Sequence, residues 1–154
     1  MEVLIREALP GDYEAYARIM GQVLALHVDW RPDIYRPNDD LFSEADFNAR
    51  RKERALWVAE TEGRVAAVME LKFHHVEDPA HVTRNVLYVE AIAVDEPYRR
   101  RGIGRQMVDF LRRKRREWGL DGLELQVNAR NRAAWEMYRA CGFTEKSVNL
   151  ELLE

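Results

Sequence analysis

The apolar positions along the chain change period several times, and each change marks an element. Val3 to Ala8 is a short apolar-led run that Pro10-Gly11 stops, which predicts a first strand. Tyr16, Ile19, Met20, Val23, Leu24 and His27 then recur at helical spacing behind Asp12 and form one apolar stripe. Val28 to Pro37 carries two prolines and is expected to be an ordered loop. Ser43 and Asp46 have the spacing of a capping pair, with Phe42 and Phe47 at the staple positions, so a second helix is expected from Ser43 to about Arg54. Ala55 to Ala59 and Val65 to Phe73 flank Thr61-Glu62-Gly63-Arg64 as an antiparallel hairpin.

His74 to His81 is polar and contains Pro79, which predicts a loop. Its histidines lie beside Glu77 and Asp78 at a spacing that matches no metal pattern, so no metal site is expected. Val86 to Val94 is β-branched and apolar, and Asp95-Glu96-Pro97 ends it. Ile103, Met107, Phe110, Leu111 and Trp118 mark one face of a helix that Gly119 closes. Gly122 to Val127 alternates as a strand. Asn131 opens a last helix with Ala134, Tyr138 and Cys141 on one face, and Lys146 to Leu153 is expected to be a final strand. The predicted order is β-α-α-β-β-β-α-β-α-β.

Composition narrows the class. At 154 residues, 47% apolar and 33% charged, residues 1–154 are expected to form a single globular domain. One cysteine leaves no internal disulfide and suits a reducing compartment. Neither a signal peptide nor a membrane span is visible, so a cytoplasmic protein is expected. Net charge is −3, yet Lys and Arg concentrate between Arg99 and Arg116. A basic patch on a mildly acidic chain points to a specific anionic ligand more than to nucleic acid. Arg112 to Arg116 also complement the dipole at a helix end, which accounts for them without RNA.

The turn between the Val86–Val94 strand and the Ile103 helix carries the chemistry. Gly102 and Gly104 let the backbone approach a ligand closely, the first amides of a helix lack acceptors, and Arg99, Arg100, Arg101 and Arg105 surround them. Such a turn attracts anions, pyrophosphate among them. The Walker pattern is missing, and so is the third glycine of a dinucleotide fingerprint.

Arg99-x-x-Gly102-x-Gly104 resembles the acyl-CoA pyrophosphate motif of the GCN5-related N-acetyltransferase (GNAT) superfamily. Asn131-x-x-Ala134-x-x-x-Tyr138-x-x-x-Gly142-Phe143, one strand later, resembles its closing helix. The resemblance covers essentially the whole chain. It implies an α/β (α+β) fold: a mixed, mostly antiparallel sheet of six to seven strands, centrally splayed and flanked by about four helices.

The resemblance implies acetyl-CoA as co-substrate, no metal, and acetyl transfer to a primary amine by direct attack. Ile92, Ala93 and Val94 would pair with the pantetheine amides, and the Ile92 N–H would face the thioester oxygen. Arg99, Arg100, Arg101, Gly102, Ile103, Gly104 and Arg105 would hold the pyrophosphate, and Asn131 another part of the cofactor. Tyr138 would be the general acid and would also border the cofactor. The base is open. Some relatives use a glutamate where this chain has Gln126, which shifts weight to Glu90, with Glu70 or Glu124 behind it; Glu90 and Glu70 could instead bind the cationic acceptor. Trp30, Ile34, Tyr35 and Phe42 lie in the variable segment that shapes the acceptor pocket, although they could equally cover the core. Cys141 is expected to be a core residue. The acceptor is not named, and a homodimer is possible. Two other readings stay open: an acyl-CoA-binding regulatory module without turnover, and a basic RNA-associated protein.

Overall fold

The computed structural model describes residues 2–154. Five strands form one sheet in the order β1-β2-β3-β4-β5: β1 Leu4–Glu7, β2 Leu56–Thr61, β3 Arg64–Asp78, β4 His81–Val94 and β5 Gly122–Leu125. All neighbours are antiparallel except β4 and β5, which run parallel. The helices are α1 Tyr13–Trp30, α2 Glu44–Lys52, α3 Ile103–Glu117 and α4 Arg132–Ala140. The mixed sheet with four helices agrees with the expected class.

Two cores sandwich the sheet. On one face Ile103, Met107, Phe110 and Leu111 of α3 pack on Met69, Leu71, Leu87 and Val89. On the other, Tyr16, Ile19 and Met20 of α1 and Phe47 of α2 cover Val58, Val68 and Ala93. The helix stripes read from sequence are therefore the buried faces. Ser43 caps α2 as expected, accepting from the Asp46 N–H at 3.2 Å.

Three expectations are corrected. Helix α1 runs on to Trp30, absorbing the start of the expected loop; it ends where Arg31, which precedes Pro32, leaves the helical region (φ −141°, ψ 70°). The stretch His74 to His81 is a continuation of β3 and β4, with only Pro79-Ala80 as its turn. Cross-strand pairs carry this extension: the His74 and Tyr88 rings stack at 4.9 Å, and His75 bonds Asn85 at 2.7 Å. The expected strand from Lys146 to Leu153 forms no ladder, so among the described residues the sheet has five strands and not six or seven.

The end of β4 is pinned to α1. Buried Asp95 accepts from Arg18 Nη2 at 3.0 Å and Gln22 Nε2 at 2.8 Å, while its own N–H donates to the Ala66 carbonyl at 2.8 Å. Burial pushes the Asp95 carboxyl up, but the bonds from Gln22 and Arg18 outweigh it and leave the pKa below the usual range. A lowered carboxyl pKa stabilises the fold above the ordinary carboxylate range and loses that contribution as pH falls through it. Asp95→Ala is expected to cost about 2 kcal/mol at neutral pH, the scale of a lost charge-assisted bond plus an unpaired amide. Urea unfolding of both proteins at pH 7 and pH 3 checks it: the gap should narrow at pH 3.

Candidate active site

Strand β4 outruns its parallel neighbour. Only Val86 to Val89 pair with β5, so from Glu90 to Val94 the strand has β3 on one side and no strand on the other. The Asp95 N–H bonds to the Ala66 carbonyl, and backbone groups alternate sides along an antiparallel ladder. Ala93 therefore also faces β3, whereas Ile92 and Val94 turn their N–H and C=O groups into the gap. This is the splay expected between the two strands.

The register against β3 breaks at Glu90. Leu71 pairs with Val89 and Glu70 with Ala91, which leaves Glu90 as the extra residue of a β-bulge. A bulge switches which residues face which side, and here it does so within β4. Leu87 and Val89 pack toward α3 before it, Ile92 and Val94 after it. Sequence alternation alone gives no sign of this, because the insertion is defined only by the partner strand.

The strand leads into the glycine turn. Arg99 is spent on building it: Nε donates to the Val94 carbonyl at 3.0 Å and Nη2 to Gln22 Oε1 at 3.1 Å. Of the open groups on β4, the Ile92 N–H and C=O and the Val94 N–H thus stay free. Gly102 is the N-cap residue of α3 at φ 81°, a conformation that favours glycine, and no side chain caps the helix. The first α3 bond runs from the Gln106 N–H to the Gly102 carbonyl at 3.1 Å. The amides of Ile103, Gly104 and Arg105 therefore have no intrahelical acceptor. Ile103's side chain is core, so only its backbone can serve a ligand. Arg100, Arg101 and Arg105 are exposed in the same stretch of chain, Arg100 at a positive φ of 63° and Arg101 with its guanidinium 5.5 Å from the centre of the Tyr98 ring. Gly104 has a packing reason as well: a Cβ there would lie 2.8 Å from Met137 Sδ of α4.

Helix α4 presents the tyrosine. Asn131 caps it, its Oδ1 accepting from the Ala134 N–H at 3.2 Å. Tyr138 is half-buried with its ring edge-on to Phe143 at 5.5 Å. Burial first, and the neighbouring Cys141 second, push its phenol up to about 12. Cys141 is buried at 5% exposure, as a core residue should be.

On the α1/α2 face of the sheet, acids run diagonally across three strands. Glu70 on β3 is 8% exposed and accepts from Arg50 Nη1 of α2 at 2.6 Å. Burial raises its pKa, Arg50 pulls it back, and Glu90 adds to the rise. Glu124 on β5, opposite Tyr88, accepts from Lys146 at 2.8 Å and Arg84 at 3.2 Å, which hold its pKa down. Glu90 lies between them on the bulge, exposed and, among the described residues, without an ion-pair partner. Glu90 and Glu124 both raise the Tyr88 phenol after burial does. Among the described residues Glu90 is thus the one acid of the three with no direct ion pair, although Arg50 lies near enough to feel its charge.

Arg50 was not legible as a site residue, because only the α2–β3 packing brings it to Glu70. Arg50→Met should leave Glu70 buried without its counter-ion, at about 1–2 kcal/mol at neutral pH, a figure kept low because the guanidinium is half exposed. The Glu70 pKa is already raised, so its ionised form costs stability and its neutral form does not; the destabilisation should fade as pH falls toward 4. Denaturant midpoints across that range measure it.

Not every expected residue gathers here. Trp30 and Tyr35 close on His27, at centroid distances of 5.2 and 4.9 Å, at the far end of α1. Tyr16, whose phenol is coupled to Glu70 and Arg50, is 14 residues away, about 21 Å along the axis at 1.5 Å per residue. Ile34 is exposed. Phe42 does reach the acid face, edge-on to Tyr16 at 6.1 Å. Gln126 lies past the end of β5. Among the described residues no group of three or more His, Cys, Asp and Glu side chains could hold a metal ion, and no helix is long and apolar enough to cross a membrane.

The site is thus a splayed pair of strands with an open backbone edge, running into a helix N-terminus that no side chain caps, in a stretch rich in exposed arginines. The chain belongs to the Acetyltransferase (GNAT) family, whose model matches residues 22–143. Among similar proteins is the mycothiol acetyltransferase of Thermomonospora curvata, 29% identical over 96% of this chain and 46% of that protein. The ribosomal protein bS18-alanine N-acetyltransferase of Escherichia coli is 39% identical over 37% of this chain and 38% of its own. The chain thus spans less than half the length of these relatives in the matches. A crystallised point mutant of the BH1408 protein from Bacillus halodurans has a TM-score of 0.89 at 29% identity, covering 98% of this chain and 99% of that one. An aminoglycoside N-acetyltransferase in complex with CoA shares the fold at a TM-score of 0.75 and 17% identity, covering 99% and 95%.

Proposed function

We propose that the protein transfers the acetyl group of acetyl-CoA to a primary amine by direct attack in a ternary complex. The observation that carries this reading is the continuous path from the open β4 edge to the free amides at the start of α3. Ile92 and Val94 offer the free backbone groups for pantetheine, with Ala93 between them bonded to β3. The amides of Ile103, Gly104 and Arg105, with Gly102 shaping the turn and Arg100, Arg101 and Arg105 adding charge, suit a pyrophosphate. Arg99 supports that turn from within, and Asn131 fixes the helix that carries Tyr138.

The amine lone pair attacks the thioester carbon, the Ile92 N–H stabilises the developing oxyanion, the carbon–sulfur bond breaks, and Tyr138 donates its proton to the departing sulfur. The amine proton passes to Glu90, directly or through water. Glu90, exposed and without a direct ion pair among the described residues, also suits an incoming ammonium; Glu70 with Arg50 backs it, and no metal enters. The acceptor is a primary amine of a small molecule or of a protein. Relatives named for mycothiol and for an alanine of a ribosomal protein support this class without choosing within it. The protein is placed in the cytoplasm and as a homodimer in the same reading.

Calorimetric titration with acetyl-CoA, beside an Arg100→Glu, Arg105→Glu double variant, tests the site. These side chains are exposed, so the variant keeps its packing, which Gly104 substitutions do not. The parent should bind and the variant bind at least about tenfold more weakly, the loss of two phosphate contacts. A folded parent that does not bind would overturn the reading. Binding with no thiol release across a panel of amines and peptide N-termini would reduce the protein to a binding module.

A further inference from the structure

Tyr88 takes no part in the chemistry derived above, yet it stands beside Glu90. It lies on β4, in register between Lys72 of β3 and Glu124 of β5 and two residues before the bulge. Its neighbours Leu87 and Val89 pack toward α3, so alternation turns Tyr88 to the acid face of the sheet. His74 of β3 stacks on its ring there, at 4.9 Å with 8° between the planes. Glu124 is spent, Oε1 on Lys146 and Oε2 on Arg84. The Tyr88 hydroxyl has no such partner. No hydrogen bond reaches it among the described residues, and it is not sealed off, since the one buried, unbonded side-chain polar atom among them is Trp57 Nε1.

We propose that Tyr88 makes the site select primary amines, its phenol oxygen accepting one N–H of the acceptor while Glu90 accepts the other, and that His74 is the positioning residue that holds the phenol in place. A neutral primary amine has two N–H groups and one lone pair. With the lone pair directed at the thioester carbon, each N–H seeks an acceptor. Glu90 takes the first and removes its proton as the new C–N bond forms. The Tyr88 oxygen takes the second, which stays behind as the N–H of the product amide. The phenol keeps its own proton, because burial, Glu90 and Glu124 all push its pKa up. A secondary amine has a single N–H and sets a carbon substituent against Tyr88, and a site built around a polar group rejects an acceptor that leaves that group unpaired. His74 touches no reacting atom. Its flat contact fixes a half-buried ring that would otherwise be free to turn away from Glu90.

This selection rests on the acetyl transfer proposed above, but the two fail separately. CoA release is measured with the fastest acceptor of the amine and peptide panel and with its N-methyl derivative, beside acetyl-CoA affinity by calorimetry. The parent should favour the primary amine at least about tenfold in kcat/KM. Tyr88→Phe should lose about tenfold on the primary amine, the scale of one hydrogen bond, and little on the N-methyl derivative, with acetyl-CoA affinity unchanged. His74→Ala should move the same ratio, chiefly through KM for the amine, and His74→Phe, which keeps a stacked ring, should restore it. A parent that releases no thiol with any acceptor overturns the transfer and the selection with it. With an active parent, a Tyr88→Phe loss that is equal on both amines, or no loss, overturns the selecting role alone. His74→Phe as impaired as His74→Ala overturns stacking as the means of positioning.

Discussion

Tyr138→Phe is expected to lower turnover at least about tenfold while acetyl-CoA affinity stays within about twofold, the lower end of what a positioned acid contributes. The phenyl ring keeps the edge-on contact to Phe143 and the burial of α4, so the cofactor path is untouched. What is lost is the proton for the departing thiolate. A phenol pushed up to about 12 is fully protonated at neutral pH, so the acid is ready in every molecule. It also predicts that parent turnover shows no loss from this group until well above pH 10, because deprotonation sets in only near the raised pKa. Rates of CoA release against pH for both proteins, with affinity by calorimetry, make the test. Unchanged turnover in the phenylalanine variant removes Tyr138 from the chemistry and leaves it a packing residue.

Glu90→Gln is expected to lower turnover by about tenfold to a hundredfold at and below neutral pH, and by less as pH rises toward the pKa of the acceptor amine. Glutamine preserves the shape of the bulge but neither takes a proton nor attracts an ammonium. At low pH almost all acceptor is protonated and the carboxylate is needed; at high pH the free amine is abundant and the need falls. KM for the amine should rise as well, since Glu90 is the exposed acid of the three that makes no direct ion pair among the described residues. A loss that is equal at all pH values would instead indicate a purely structural role for the bulge. Glu70→Gln separates the two carboxylates: it removes the partner of Arg50 and should act through stability and KM more than through the pH profile.

How far these residues could be found without the structure differs case by case. Gly102 and the uncapped start of α3 were legible, because a glycine turn between a strand and a helix leaves few alternatives for the backbone. Asn131 was legible for the same local reason. Arg99 was legible as part of the motif, but not its bonds to the Val94 carbonyl and Gln22, which depend on α1 arriving beside β4. The resemblance puts Trp30 and Tyr35 in the variable segment that shapes the acceptor pocket, and only the course of α1 places their rings on His27, at the end of the helix away from Tyr16. The polar stretch around His74 has the composition of a loop, but cross-strand partners make it part of the β3–β4 ladder.

The sequence by itself determined the order of the helices and the main strands, the buried stripes, the Ser43 and Asn131 caps and the anion-attracting turn. Each depends on spacing or on backbone groups within a few residues of one another. Only the tertiary structure decided the bulge at Glu90, the gap beside Ile92 and Val94, the Arg50–Glu70 pair and the lack of a ladder after Phe143. All four are relations between segments far apart in the chain. A strand's register, and whether it finds a partner at all, are properties of two strands, and no single strand encodes them.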